Sequence, residues 1–139
     1  GSPAIAFLTS DPNHHHQFAF LETRKDSGDS NSLNHLAFRV GNLTDVKATI
    51  EALKADGRAT KMAPVTHGNA WSIYFSDPEG NGLEVFCDTP FHVAQPQATS
   101  WDPDLDEAEL TAWTEETFGD NRRFGPIGDF YSSQQELFA

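Results

Sequence analysis

The stretch from His35 to Glu84 limits most tightly what this chain can become. It opens on Asn34-His35-Leu36-Ala37-Phe38-Arg39-Val40 and closes on Ile73-Tyr74-Phe75-Ser76-Asp77-Pro78-Glu79-Gly80-Asn81-Gly82-Leu83-Glu84-Val85-Phe86. Between these ends the pattern reads strand, helix, then three strands. Side chains alternate along a strand, so Leu36, Phe38 and Val40 share a face predicted to be core, while His35, Ala37 and Arg39 take the other. Asn42, three residues before Asp45, can cap a helix, and Val46, Ile50 and Leu53 give that helix one apolar stripe. Gly57 ends it in a left-handed conformation. Ala59 to Val65 is a weaker strand, placed near an edge or bend by Pro64. In the next strand Trp71, Ile73 and Phe75 oppose Ala70, Ser72 and Tyr74. Asp77-Pro78-Glu79-Gly80 then makes a tight turn, and Leu83, Val85 and Cys87 alternate with Glu84 and Phe86.

Before this stretch, Pro3 to Thr9 and His16 to Glu22 flank the turn-forming group Ser10-Asp11-Pro12-Asn13 and predict a hairpin. In its second strand His16, Phe18 and Phe20 share one face, and Gln17, Ala19 and Leu21 the other. Lys25 to Ser32 is polar and aperiodic, hence a loop. After Asp88, Thr-Pro, Gln-Pro and Asp-Pro dipeptides mark an extended connection. Asp106 to Phe118 predicts a helix carrying Leu110 and Trp113 on one side and stopping at Gly119. Asn121 to Ala139 holds Phe124, Phe130, Tyr131 and Phe138 without a clear period, and reads as an arm across the domain or onto another subunit. The class is α+β, with a domain at 1–98 containing the hairpin 3–22 and the βαβββ stretch 34–88, followed by an arm at 99–139.

At 139 residues, 37% hydrophobic and 12% aromatic, the sequence suffices for one real core. Nine basic against 21 acidic residues give a formal charge of −12, which argues against nucleic acid or an anionic membrane as partner and leaves small molecules or protein. Cys87 is the single cysteine, so no intrachain disulfide forms, and no signal peptide or bilayer-spanning run stands out. A cytoplasmic setting is expected. Gly1-Ser2 has the composition of a cleavage scar, in which case the natural chain begins earlier.

The chemistry-bearing residues are few. Two histidines and a carboxylate on rigid strands form the set preferred by non-haem Fe(II), and Glu84, embedded in Leu83-Glu84-Val85-Phe86, is a charge that burial would penalise unless paired. The alternative is a hydrogen-bonded strand histidine at His35 and a solvated carboxylate at Glu84. In His14-His15-His16, strand alternation lets at most two rings converge, and His14 and His15 read as a solvated turn pair. His16 is placed to act as a general acid or base. His67 is either a surface loop residue or a substrate contact. The Tyr74 phenol suits a substrate oxygen or a backbone partner equally. His92 reads as structural or solvent-facing, and Cys87 as core rather than nucleophile.

The combination His15-His16-Gln17-Phe18-Ala19-Phe20, Asn34 to Val40, Thr66-His67-Gly68 and Ser72 to Val85 resembles the vicinal oxygen chelate superfamily (glyoxalase, bleomycin resistance protein and dioxygenase), over about residues 5 to 90. Within it the chain looks most like a small extradiol dioxygenase acting on catechols or biphenyl-diols, and the tail with Phe124-Gly125-Pro126-Ile127 looks like small members of that group. The resemblance implies paired βαβββ modules forming a cup around Fe(II), with Mn(II) as the alternative metal. It makes His35 and Glu84 metal ligands, His16 the histidine that handles protons around O₂, and His67 and Tyr74 partners of the catecholate. The implied partners are a small aromatic diol and O₂. Family members carry a first iron-binding histidine on an opening strand, followed by a helix, ahead of the position of Pro3; this sequence has neither. They are absent from the chain as given, or come from a partner fragment or another copy, or have been lost. Two-thirds of a facial triad and an open sheet edge would then remain, with weak iron binding. Two other outcomes stay open: a metal-free module sequestering a small aromatic molecule, and a metal-dependent reaction such as glyoxalase-like isomerisation.

Overall fold

Asn42 has extended dihedrals, and its side chain accepts the Asp45 N–H at 3.1 Å, starting α1 (Leu43–Asp56); Gly57, at φ 71°, ends it. Its stripe Leu43, Val46 and Ile50 is buried against Trp71, Ile73 and Cys87. These come from β5 (Ala70–Ser76) and β6 (Gly82–Asp88), the antiparallel pair that follows β4 (Thr60–Thr66). β3 (Leu36–Arg39) precedes α1 and pairs parallel with β6, so the segment from β3 to β6 is a βαβββ unit. In this computed structural model, which describes residues 4–22 and 33–138, the expected Lys25–Ser32 loop lies outside the described residues.

The sheet runs β3-β6-β5-β4-β8, where β8 (Thr99–Ser100) meets only Val65 and Thr66 of β4. β4 is therefore near the edge, as Pro64 implied, and its pairing is irregular between Thr60 and Ala63, where Lys61 has φ 53°. β1 (Ile5–Leu8) and β2 (Phe18–Leu21) form the expected hairpin as a separate two-stranded sheet. β7 (Phe91–His92) and β9 (Gly125–Pro126) make a second small pair.

The segment after residue 98 contributes to the core. Trp101 and Leu110 join the central apolar cluster. The Trp101 indole donates to the Ser72 carbonyl at 3.0 Å and the Trp71 indole to Thr114 Oγ1 at 3.0 Å, so both buried rings have a partner for their one donor. Thr114 lies on α2 (Glu107–Phe118), which opens with a reciprocal capping box between Asp106 and Glu109. A third helix, α3 (Ile127–Phe138), occupies the tail that showed no period.

Two expectations about faces are overturned. Leu36 and Phe38 are 49% and 55% exposed, not core: α1 packs over β5 and β6, and among the described residues nothing covers the outer face of β3. Phe18 and Phe20 are exposed on the hairpin, at 69% and 62%, and His16 does not share their face. It precedes β2 in irregular backbone, so strand alternation does not reach it, and it lines the cavity with Ala19 and Leu21.

Candidate active site

The β5–β6 ladder places Tyr74 opposite Glu84, and the parallel β3–β6 ladder places Ala37 beside the same residue. Glu84 is thus fixed on three strands, 6% exposed. Ser72, two residues before Tyr74 and on its face, donates to Glu84 Oε1 at 2.6 Å. His35, just ahead of β3, brings Nε2 to 3.1 Å from Glu84 Oε2. Burial alone would raise the Glu84 carboxyl pKa, but hydrogen bonds from His35 and then Ser72, with the Tyr74 hydroxyl close by, outweigh it and hold the group below its ordinary value, as a carboxylate.

Asn34 Oδ1 lies 2.7 Å from His35 Nδ1, so that nitrogen donates to the amide oxygen and Nε2 is turned to Glu84. A ring nitrogen and a carboxylate oxygen converging on one point, each oriented by a second hydrogen bond, is how metal ligands are presented, a cation taking the place of the proton between them. The pair fits two positions around a cation such as Fe(II). Among the described residues no third histidine, cysteine or carboxylate joins them.

The turn from β4 to β5 delivers His67. Thr66 Oγ1 donates to the Ala70 carbonyl at 2.8 Å and accepts the Gly68 N–H at 3.1 Å, while Gly68 takes φ 79°, open to glycine. His67 Nδ1 sits 2.5 Å from the Gln97 carbonyl and must donate to it. Its Nε2 is then an acceptor, and the Tyr74 hydroxyl donates to it at 2.8 Å. Burial, followed by the Glu84 charge, pushes the Tyr74 phenol well above its ordinary pKa, so it stays a donor. His16 is pushed below its ordinary value, first by burial and then by His67 and His35, against the pull of Glu84, and is neutral near pH 7.

These side chains share one cavity of about 810 Å³. His16, His35, His67, Tyr74 and Glu84 make its polar wall; Ile5, Phe7, Ala19, Leu21 and Phe86 make an apolar one. At a further point of the lining the Arg39 guanidinium pairs with Asp88, which also accepts the Tyr131 hydroxyl of α3 at 3.0 Å. All five residues singled out as a site therefore come together. Cys87 is core, its thiol pushed up to about 12 by burial and then by neighbouring carboxylates.

The packing of His15, the Ser72 hydroxyl and the Gln97 carbonyl went unrecognised. His15 is not a solvated turn residue: it lies against Phe7, His16, His92 and Phe130, because α3 closes over the turn. His14, by contrast, remains at the surface 3.5 Å from Asp11. His92 is structural, 7% exposed and stacked on Phe130. Ser72 had one signal, its place on the polar face beside Tyr74. The Gln97 carbonyl had none, since a backbone acceptor carries no side-chain mark.

A family model described as "Glyoxalase/Bleomycin resistance protein/Dioxygenase superfamily" matches residues 1–85. The chain is 29% identical over 128 residues to a biphenyl-2,3-diol 1,2-dioxygenase 2 of Rhodococcus globerulus, covering 79% of this chain and 66% of that protein. It is 33% identical over 93 residues to a biphenyl-2,3-diol 1,2-dioxygenase 3 of the same organism, covering 63% of this chain and 47% of that one. The chain thus spans roughly half to two-thirds of the length of these curated relatives. No solved structure matches it significantly.

Proposed function

The chain belongs to the glyoxalase/bleomycin resistance protein/dioxygenase superfamily, and on that premise we propose that its cup belongs to an Fe(II)-dependent extradiol dioxygenase that cleaves the ring of a catechol-type diol beside the two hydroxyls. The observation that carries the proposal is the convergence of His35 Nε2 and Glu84 Oε2, 3.1 Å apart, beside the hydrogen-bonded Tyr74–His67 pair in one cavity. The biphenyl-diol dioxygenases among its relatives favour the same chemistry.

In this proposal His35 and Glu84 supply two metal ligands, and the third comes from a residue outside those described, whether in the same polypeptide, a partner fragment or a second copy. Bound Fe(II), for which Mn(II) is the alternative, supplies the chemistry that joins O₂ to the diol-bearing ring. The protein residues do the rest. Glu84 stays ionised through its hydrogen bonds. The Tyr74 hydroxyl and the His67 ring hold one diol oxygen between them, exchanging their mutual bond for bonds to substrate. His16, neutral near pH 7, takes a proton from the diol side and returns it to the oxygen side. Ile5, Phe7, Leu21 and Phe86 exclude water and carry the apolar body of the aromatic substrate. The domain at 1–98 then holds the cup, with 99–139 buttressing it, in a cytoplasmic setting.

The presence of only two candidate ligands among the described residues favours one competing reading, a metal-free module that sequesters a small aromatic molecule in the same cavity. Anaerobic Fe(II) loading followed by an oxygen-electrode assay with catechol and with biphenyl-2,3-diol separates them. The proposal expects iron binding, O₂ uptake and a yellow ring-fission product. Diol binding without metal or O₂ uptake would establish the module; metal binding without O₂ uptake would point to an isomerase-type reaction.

A further inference from the structure

His16 is tied to a neighbour. Its Nδ1 lies 2.7 Å from Nδ1 of His15, a distance that requires one nitrogen to donate and the other to accept. His15 is enclosed by rings: Phe7 meets it edge-on at 5.0 Å, Phe130 stacks on it at 5.2 Å, and His92 lies at 5.7 Å. His92 in turn lies flat on Phe130, 3.9 Å away and inclined by 6°. Burial, reinforced by His16, His92 and His67, pushes the His15 ring down to about 3, so it is uncharged at neutral pH.

Phe130 belongs to α3, and the same helix grips the turn that carries both histidines. Gln134 Nε2 donates to the carbonyls of Pro12 at 3.3 Å and His14 at 3.1 Å, and Gln135 Nε2 to Asn13 Oδ1 at 3.2 Å. The Tyr131 phenol, next to Phe130, donates to Asp88 at 3.0 Å.

Two uncharged imidazoles that share one proton through their Nδ1 atoms fix each other. The Nε2 of each ring must carry the proton state complementary to its own Nδ1. We propose that His15, held by Phe130 of α3, is the positioning residue for His16, locking it in one tautomer and one ring orientation so that it meets the substrate in a defined proton state. The C-terminal helix thereby becomes part of the proton-handling apparatus. The consequence for turnover rests on the dioxygenase reading; the lock itself is a property of the chain without metal or diol.

The test is ¹⁵N NMR of the histidine rings in the metal-free chain, followed by kinetics of the iron-loaded protein. Wild type should show His16 with one protonated and one bare nitrogen. His15→Phe keeps the stack on Phe130 and removes the hydrogen bond, and should average the two nitrogens. His15→Asn, whose carboxamide restores a partner near the Nδ1 position, should recover the single tautomer. In turnover, His15→Phe should lower kcat about 10- to 100-fold, the usual range for loss of an orienting partner, with KM within about twofold and iron content unchanged. Phe130→Ala should move the His16 signals in the same direction. An averaged His16 in wild type, or unchanged His16 signals in His15→Phe, overturns the inference. A clean lock in a protein that cleaves no diol leaves the inference standing and removes the dioxygenase reading instead.

Discussion

Gly82 is the narrowest point of the proposed metal site, and Gly82→Ala is the most informative single perturbation. A Cβ there would lie 2.4 Å from the Asn34 carbonyl oxygen and 3.3 Å from His35 Cβ, where ordinary contact begins at 3.4 Å. The Asn34–His35 backbone would have to retreat from β6 by about 1 Å, since a main-chain oxygen has no flexible end to swing aside. That displacement falls directly on the ring nitrogen now 3.1 Å from Glu84. Overpacking in well-filled sites costs roughly 1–3 kcal/mol, and a backbone clash belongs at the upper end, about 2–3 kcal/mol. With a urea slope of about 1–3 kcal/mol per molar, the unfolding midpoint should fall by roughly 1–2 M. The His35 ring signals should shift, and Fe(II) affinity should drop at least tenfold, by about 1.4 kcal/mol. Gly80→Ala is the control. Gly80 has φ 88° with nothing within 4 Å, so alanine costs about 1–2 kcal/mol of backbone strain and leaves His35 alone. A wild-type midpoint and unchanged His35 signals in Gly82→Ala, or equal disturbance of His35 by Gly80→Ala, would refute the steric account.

Ser72→Ala removes the hydroxyl 2.6 Å from Glu84 Oε1 and should weaken Fe(II) binding about 10- to 100-fold by titration calorimetry; wild-type affinity would count against the orienting role. Gly68→Ala combines φ 79° with a Cβ 2.4 Å from Val93 Cγ1, so a loss of about 2–4 kcal/mol is expected in denaturant unfolding, with the His67–Tyr74 pair disturbed. Acid should destabilise the protein through His15, which binds its proton near 6.5 when unfolded and only at about 3 when folded. Its contribution is whole above 6.5 and shrinks as pH falls through 6.5 toward 3, about 2 kcal/mol being lost by about pH 5. His15→Phe should flatten the stability profile between about pH 7.5 and pH 5 by that amount, and parallel profiles for the two proteins would contradict it.

The βαβββ unit was legible because its signals were redundant: the cap at Asn42, the stripe on α1, the left-handed Gly57 and strict alternation in β5 and β6 all agreed. Alternation separates two faces but does not say what lies over each, which is why Leu36 and Phe38 read as core and are exposed. His16 went to the wrong face because the regular strand begins at Phe18, and one irregular residue shifts every assignment before it. α3 went unread because its half-buried side, Ile127, Phe130, Tyr131 and Gln134 at i, i+3, i+4 and i+7, is short and partly polar while Leu137 and Phe138 are exposed; it attaches through side-chain amides, Tyr131 and the Phe130 stack. In the site, side-chain chemistry made Glu84, His35, His67 and Tyr74 candidates, and the resemblance to the superfamily joined them into one set. The groups that orient them, Ser72, Asn34 and the Gln97 carbonyl, became visible only once neighbouring strands and loops were in register.

The parallel pairing of β3 with β6 also bears on how the chain reaches its native state. β4, β5 and β6 follow one another as antiparallel neighbours and can zip up locally, whereas β3 docks only by closing the crossover through α1, β4 and β5. Pairings between distant segments form slowly, so β3 is expected to dock last. His35 travels with β3 and Glu84 waits on β6, so the two proposed ligands meet only at that step. A metal captured by both would bind the finished module and not its precursors, and would draw the folding equilibrium toward completion in proportion to its concentration.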